Sequence, residues 1–213
     1  MSASCYTRSE ILADGVIHAL GVPLAVVAAV VLLVRAAAAG DALPVVAAAV
    51  YGLGLICTFG FSAAYNLAPE SRCKEILRRG DHAAIYVMIA GTYTPFTLVN
   101  IGGWAGYGLL AMVWSMAAFG LALKMFRPDR LARLSVALYL ALGWVGLVAG
   151  GPLFAALPGF ALGFLIAGGV LYTVGVAFYA WRRLSFQNAI WHGFVLAAAC
   201  CHYVAVFDAI IPG

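Results

Sequence analysis

Seven mostly apolar stretches divide this sequence, at residues 16–34, 43–66, 82–100, 106–124, 133–149, 160–181 and 189–210. A hydrocarbon layer about 30 Å thick is crossed by about 20 such residues in helical form, and no other open structure satisfies its backbone there. Each stretch is therefore predicted to be a transmembrane helix. Composition excludes the soluble alternative, because 65% of the residues are hydrophobic and only 9% are charged, against about 25% charged in soluble domains. The breaks between stretches are short: a turn at Gly40 and Asp41, a basic loop over 69–80, Gly102 and Gly103, a second basic loop over 127–133, and a Gly-Pro segment over 150–158. Residues 1–213 read as a single all-α membrane domain, a seven-helix bundle.

Charge orients that bundle. Lys and Arg near helix ends are biased to the cytoplasm. Arg8, Arg72, Lys74, Arg78, Arg79, Lys124, Arg127, Arg130, Arg133, Arg182 and Arg183 all fall on one side of a seven-helix layout, and only Arg35 falls on the other. The N-terminus is expected in the cytoplasm and the C-terminus outside, in a bacterial-type inner membrane. This bias also accounts for the net charge of +4 without a nucleic-acid partner. Arg8, Glu10 and Asp14 precede the first apolar run, a pattern unlike a cleavable signal peptide, so that helix is expected to stay. The five cysteines show no metal-like spacing, and no disulfide is expected.

Polar residues inside spans are costly and mark sites or pathways. Here they gather toward the cytoplasmic ends: His18 in the first span, Ser62 and Asn66 ending the second, Asp81 and His82 opening the third, Asn188 and His192 opening the seventh. One layer could contain them all if those four spans are neighbours. Ser62 and Asn66, like Asn188 and His192, are four residues apart and share a helix face. Such a face could line a cavity or join helices by hydrogen bonds. Asp81 could cap the third helix, with His82 as an interfacial neighbour, or belong to a site. His202, ten residues beyond His192, lies about 15 Å deeper and is read as a neutral histidine satisfied by a neighbouring helix. Pro95 should kink the third helix and free a carbonyl, and Gly168, Gly169 and Gly175 should permit close helix contact.

Over nearly the whole chain these residues resemble the hemolysin III branch of the progestin and adiponectin receptor family. The resemblance rests on His18 with Gly21, Ser62-Ala63-Ala64-Tyr65, Asp81-His82-Ala83-Ala84-Ile85-Tyr86 and Ile89-Ala90-Gly91-Thr92-Tyr93-Thr94-Pro95-Phe96. It continues through Leu134-Ser135, Ala137-Leu138-Tyr139, Gly143-Trp144, residues 168–175, and Ala189-Ile190-Trp191-His192 with His202. It implies a seven-helix bundle holding zinc near the cytoplasmic side. One histidine would come from a Ser-x3-His motif ending the second span, and two from a His-x3-His motif opening the seventh. The aspartate matching Asp81 would bond the zinc-bound water, with the serine matching Ser62 beside it.

The sequence departs from that pattern at two metal positions, reading Ser62-x3-Asn66 and Asn188-x3-His192. His192 is the one matching ligand, and it is the candidate metal residue. Zinc prefers thiolate, imidazole and carboxylate donors, so no cofactor is expected. Zinc is the alternative, through recruitment of Asp81, His18 or His82. The favoured function is a zinc-site-degenerate, non-catalytic membrane protein that binds a lipid-like ligand or tunes membrane properties, with Asn66, Asn188 and His192 in its pocket and His18 and His82 as further lining. The first alternative is a ceramidase-like lipid amide hydrolase, with Asp81 as base and Ser62 as polar stabiliser. Cytolysis, which the family name implies, has no secretion feature behind it, and a transporter lacks a deep charged pair or inverted repeat. Membrane lipids are the expected partners. Sequence does not set the oligomeric state.

Overall fold

The computed structural model describes residues 7–126, 132–148 and 151–211. Its helices are α1 (Arg8–Ala38), α2 (Ala42–Leu67), α3 (Arg72–Pro95), α4 (Gly103–Phe126), α5 (Ala132–Val148), α6 (Gly151–Ala156), α7 (Gly159–Ala180) and α8 (Gln187–Ile210), with a π-helical segment, Phe96–Ile101, directly after α3. Among the described residues six helices are long and apolar enough to cross a membrane: α1, α2, α3 with its π-helical extension, α4, α7 and α8. α5 is apolar but has 17 residues, about 26 Å of rise. The basic loop expected over 127–133 lies largely outside the described residues, whereas the Gly-Pro segment expected over 150–158 is described from Gly151 onward and contains the short helix α6.

Two helices begin well before their apolar stretches, and polar caps are the reason. Thr7 caps α1: its hydroxyl accepts the Glu10 amide at 3.3 Å while the Glu10 carboxylate accepts the Thr7 amide at 2.8 Å. This reciprocal pair satisfies two first-turn donors, so α1 starts at Arg8 rather than 16, in the polar layer. α3 likewise starts at Arg72, where the Ser71 hydroxyl accepts the Lys74 amide at 3.2 Å and Arg78 pairs with Glu75 at 2.7 Å. The segment expected as a basic loop over 69–80 is therefore mostly helix. Asp81 consequently sits inside α3 and caps nothing.

The buried face of α1 is Asp14, His18, Gly21, Ala25, Ala29, Leu32 and Ala36, a stripe with steps of three and four residues. Its opposite face exposes Val16, Leu20, Val27, Val30 and Val34 to lipid. Small residues let the helices approach, which in lipid is the main source of attraction. A Cβ on Gly52 of α2 would lie 2.9 Å from the Ala29 side chain, and one on Gly21 would lie 2.8 Å from the Phe59 ring. Successive helices pack together from α1 through α4, α7 packs on α8, and α8 returns to α1 and also touches α3. The adjacency that a single polar layer requires is thus present.

A second apolar cluster, Tyr86, Ala90, Tyr93, Val113, Ala117 and Leu142, joins α3 to α4 and α5. Tyr93 donates to the Gly143 carbonyl at 2.8 Å and accepts the Gly146 amide at 2.9 Å, binding α5 to α3. Where a kink is expected at Pro95, α3 passes directly into the π-helical segment. There the Thr97 hydroxyl serves the Tyr93 and Thr94 carbonyls at 2.9 and 3.1 Å, supplying backbone acceptors with partners in a layer without water.

Candidate functional site

Helix capping brings the first charged group to the site. Because Thr7 and Glu10 start α1 early, Asp14 lies one turn before His18 on the buried stripe. Both are nearly sealed, at 7% and 3% exposure. Glu10 does more: its other carboxylate oxygen accepts the Phe186 amide at 2.9 Å. Phe186 has a left-handed backbone, φ 58°, which is uncommon for a bulky residue. The carboxylate thus holds the turn from which α8 starts, and two residues later comes Asn188.

α8 then presents His192 to α1. Its Nδ1 lies 2.6 Å from Asp14 Oδ1, and its ring centroid is 4.5 Å from that of His18 in a tilted arrangement. His18 Nε2 is 3.4 Å from Asp14 Oδ2. From α2, the Ser62 hydroxyl lies 3.4 Å from His192 Nε2. Asp81, from α3, interacts with the Ser62 hydroxyl and lies near His192 and His18. Four helices converge on one imidazole and its neighbours.

Asn66 and Asn188 complete the layer. Asn188 Nδ2 donates to Asn66 Oδ1 at 3.1 Å, and Asn66 Nδ2 donates to the Ser62 carbonyl one turn earlier at 2.9 Å. Their amides are thereby committed to each other and to α2. This observation tests the family pattern directly: the two positions where it has imidazoles hold a hydrogen-bonded amide pair, a poor donor set for zinc, so the residues there do not fit the ion.

A different set does fit. Asp14, His18 and His192 are all buried, and their ligand atoms lie within 4.8 Å of one another. This Asp/His/His cluster is able to bind a metal, and it was not legible as such in the sequence, where Asp14 figured only as a charge ahead of the first span. The signal was nevertheless there: Asp14 and His18 are four residues apart, the same spacing that groups Ser62 with Asn66. His82 lies outside this cluster, and its carbonyl accepts the Tyr139 hydroxyl at 2.9 Å. His202 is separate and deeper; its Nε2 donates to the Leu165 carbonyl of α7 at 3.2 Å.

The sequence profile of the family described as Haemolysin-III related matches residues 7–203. The chain is 39% identical over 201 residues to the Hemolysin-3 homolog of Bacillus subtilis (strain 168), covering 94% of each. It is 36% identical over 207 residues to Hemolysin-3 of Bacillus cereus, covering 97% of this chain and 94% of that one. A more distant similarity, 29% over 167 residues and 74% of this chain, is to the human Monocyte to macrophage differentiation factor, of which it covers 68%.

Proposed function

The chain belongs to the haemolysin-III-related family, and from that premise we propose that it is a ligand-binding rather than a hydrolytic member. In this reading residues 1–213 form one domain that crosses a bacterial inner membrane seven times, α5 being the shortest span, with the N-terminus in the cytoplasm. A polar pocket in the cytoplasmic leaflet, walled by Ser62, Asn66, Asp81, Asn188 and His192, receives the polar end of a lipid-like molecule.

The single observation that carries the reading is the Asn66–Asn188 hydrogen bond at 3.1 Å. Two helices that the family pattern joins through metal ligands are joined here by amides. Amides neither supply the negative charge nor the imidazole lone pairs that a zinc-activated water depends on. They do offer donors and acceptors to a ligand headgroup. A zinc-dependent lipid amide hydrolase is the second reading, favoured by the position of Asp81 against Ser62 and near His192.

The test uses the full chain in mild detergent with zinc present and a short-chain fluorescent ceramide as probe. Co-elution of about one probe per chain with no released fatty acid supports the reading. Turnover that disappears in Asp81→Asn replaces it with the hydrolase. Neither retention nor turnover leaves the pocket a purely structural cluster and overturns ligand binding.

A further inference from the structure

We propose that this chain carries a relocated metal centre, in which His18, His192 and Asp14 hold a zinc-class divalent ion between α1 and α8. The site differs from the family pattern, which draws its imidazoles from the ends of α2 and α8, and shares only His192 with it.

The first observation is the donor set. Two imidazoles and one carboxylate are a well-suited trio for zinc, leaving one coordination position open. All three residues are buried, and their ligand atoms lie within 4.8 Å of one another. Burial of three ionisable side chains is expensive unless something satisfies all of them.

The second observation, independent of residue type, is that one of them has a buried nitrogen without a hydrogen bond. His18 Nε2 is sealed from solvent and makes no hydrogen bond among the described residues. Its acidic neighbour, Asp14 Oδ2, is 3.4 Å away. Two donors on one tetrahedral zinc, each about 2.0–2.1 Å from the ion, are separated by about 3.3 Å. A nitrogen and an oxygen at that separation stand as two ligands of a common ion stand.

The third is the surrounding shell. A ligating histidine usually passes its other ring nitrogen to a fixed acceptor, which sets its tautomer. His192 has that arrangement: Nδ1 faces Asp14, while Nε2 faces the Ser62 hydroxyl at 3.4 Å. Ser62 in turn interacts with Asp81. The 2.6 Å contact between His192 Nδ1 and Asp14 Oδ1 is a hydrogen bond length, so loading the ion requires the carboxylate to turn by a fraction of an ångström and the shared proton to leave. The ion ties α1 to α8, while the amide pair ties α2 to α8. Asp81 is not a member of the ligand cluster, and the open fourth position is free to take a ligand oxygen.

The experiment is elemental analysis of the detergent-purified full chain grown with zinc, together with the visible absorption spectrum after cobalt loading. About one zinc per chain and a tetrahedral cobalt spectrum are expected. His18→Gln and Asp14→Asn should each lower zinc at least tenfold, whereas Asn66→Ala should retain it. Monodisperse elution of each variant checks its fold, and the cobalt spectrum of the unaltered chain stands without any variant. No metal in the unaltered chain overturns the proposal, as does zinc that survives His18→Gln or is lost in Asn66→Ala. Ceramide turnover would remove the ligand-binding reading and leave this centre standing; probe retention without metal would do the reverse.

Discussion

Removing the Asp14 carboxylate should cost this bundle more than any other single polar change in it. The residue is 7% exposed, faces His192 Nδ1 at 2.6 Å and lies 3.4 Å from His18 Nε2. In Asp14→Leu, with metal chelated throughout, both imidazoles remain buried and lose the group that orients them. Breaking a buried charged pair by removing one partner costs about 3–5 kcal/mol. For a chain of this size that corresponds to a fall in Tm on the order of 10 °C. Asp14→Asn keeps an oxygen for the His192 N–H but not its charge, so it should lose about 1–2 kcal/mol, the difference between a charge-assisted and a neutral bond. Asp14→Leu combined with His192→Leu should recover much of the loss, because replacing a whole buried polar pair by apolar groups is often close to neutral. The assay is thermal unfolding in detergent followed by intrinsic fluorescence, for which the chain has five tryptophans. An Asp14→Leu variant within about 0.5 kcal/mol of the parent, a typical change at an exposed surface position, would refute the argument that this cluster is buried and mutually dependent.

Two further outcomes follow from the same structure. A double-mutant cycle on Asn66→Leu and Asn188→Leu should give a coupling energy of about 0.5–1 kcal/mol, typical of interhelical hydrogen bonds in membranes; additive losses in thermal stability would mean that the 3.1 Å contact does not join α2 to α8. In the proposed topology a C-terminal alkaline phosphatase fusion should be active and a C-terminal green fluorescent protein fusion dark, and the opposite pattern would reverse the orientation read from the eleven basic residues on one side.

Several features were legible in the residues before any coordinates. Apolar length predicted seven spans, of which six are long and apolar enough to cross among the described residues and the fifth is a shorter apolar helix, and the quoted motifs identified the family that the profile match over 7–203 shows. The same reasoning placed the start of α1 near 16 and of α3 near 82, whereas they begin at Arg8 and Arg72. Hydropathy registers where a helix is apolar, and a capped polar turn beyond the hydrocarbon is invisible to it. That one blind spot hid Asp14, since a residue placed ahead of the helix has no face. It also made Asp81 look like a cap, when Ser71 holds that position ten residues earlier.

What the sequence alone determined is the class of object: a membrane-embedded helical bundle of the haemolysin-III kind, with polar residues near one end of four helices and asparagine where two imidazoles are expected. Those conclusions depend on one-dimensional quantities, the length of apolar runs and the identity of residues at fixed spacing. Tertiary structure decided which of the polar groups meet. Asp14 and His192 are 178 residues apart in the chain and 2.6 Å apart in space, because α8 closes the bundle against α1. The same closure turns Asn66 toward Asn188 and leaves His82 outside the Asp14, His18 and His192 cluster. Periodicity says which face of a helix is polar; only the packing of one helix on another says what that face is turned toward.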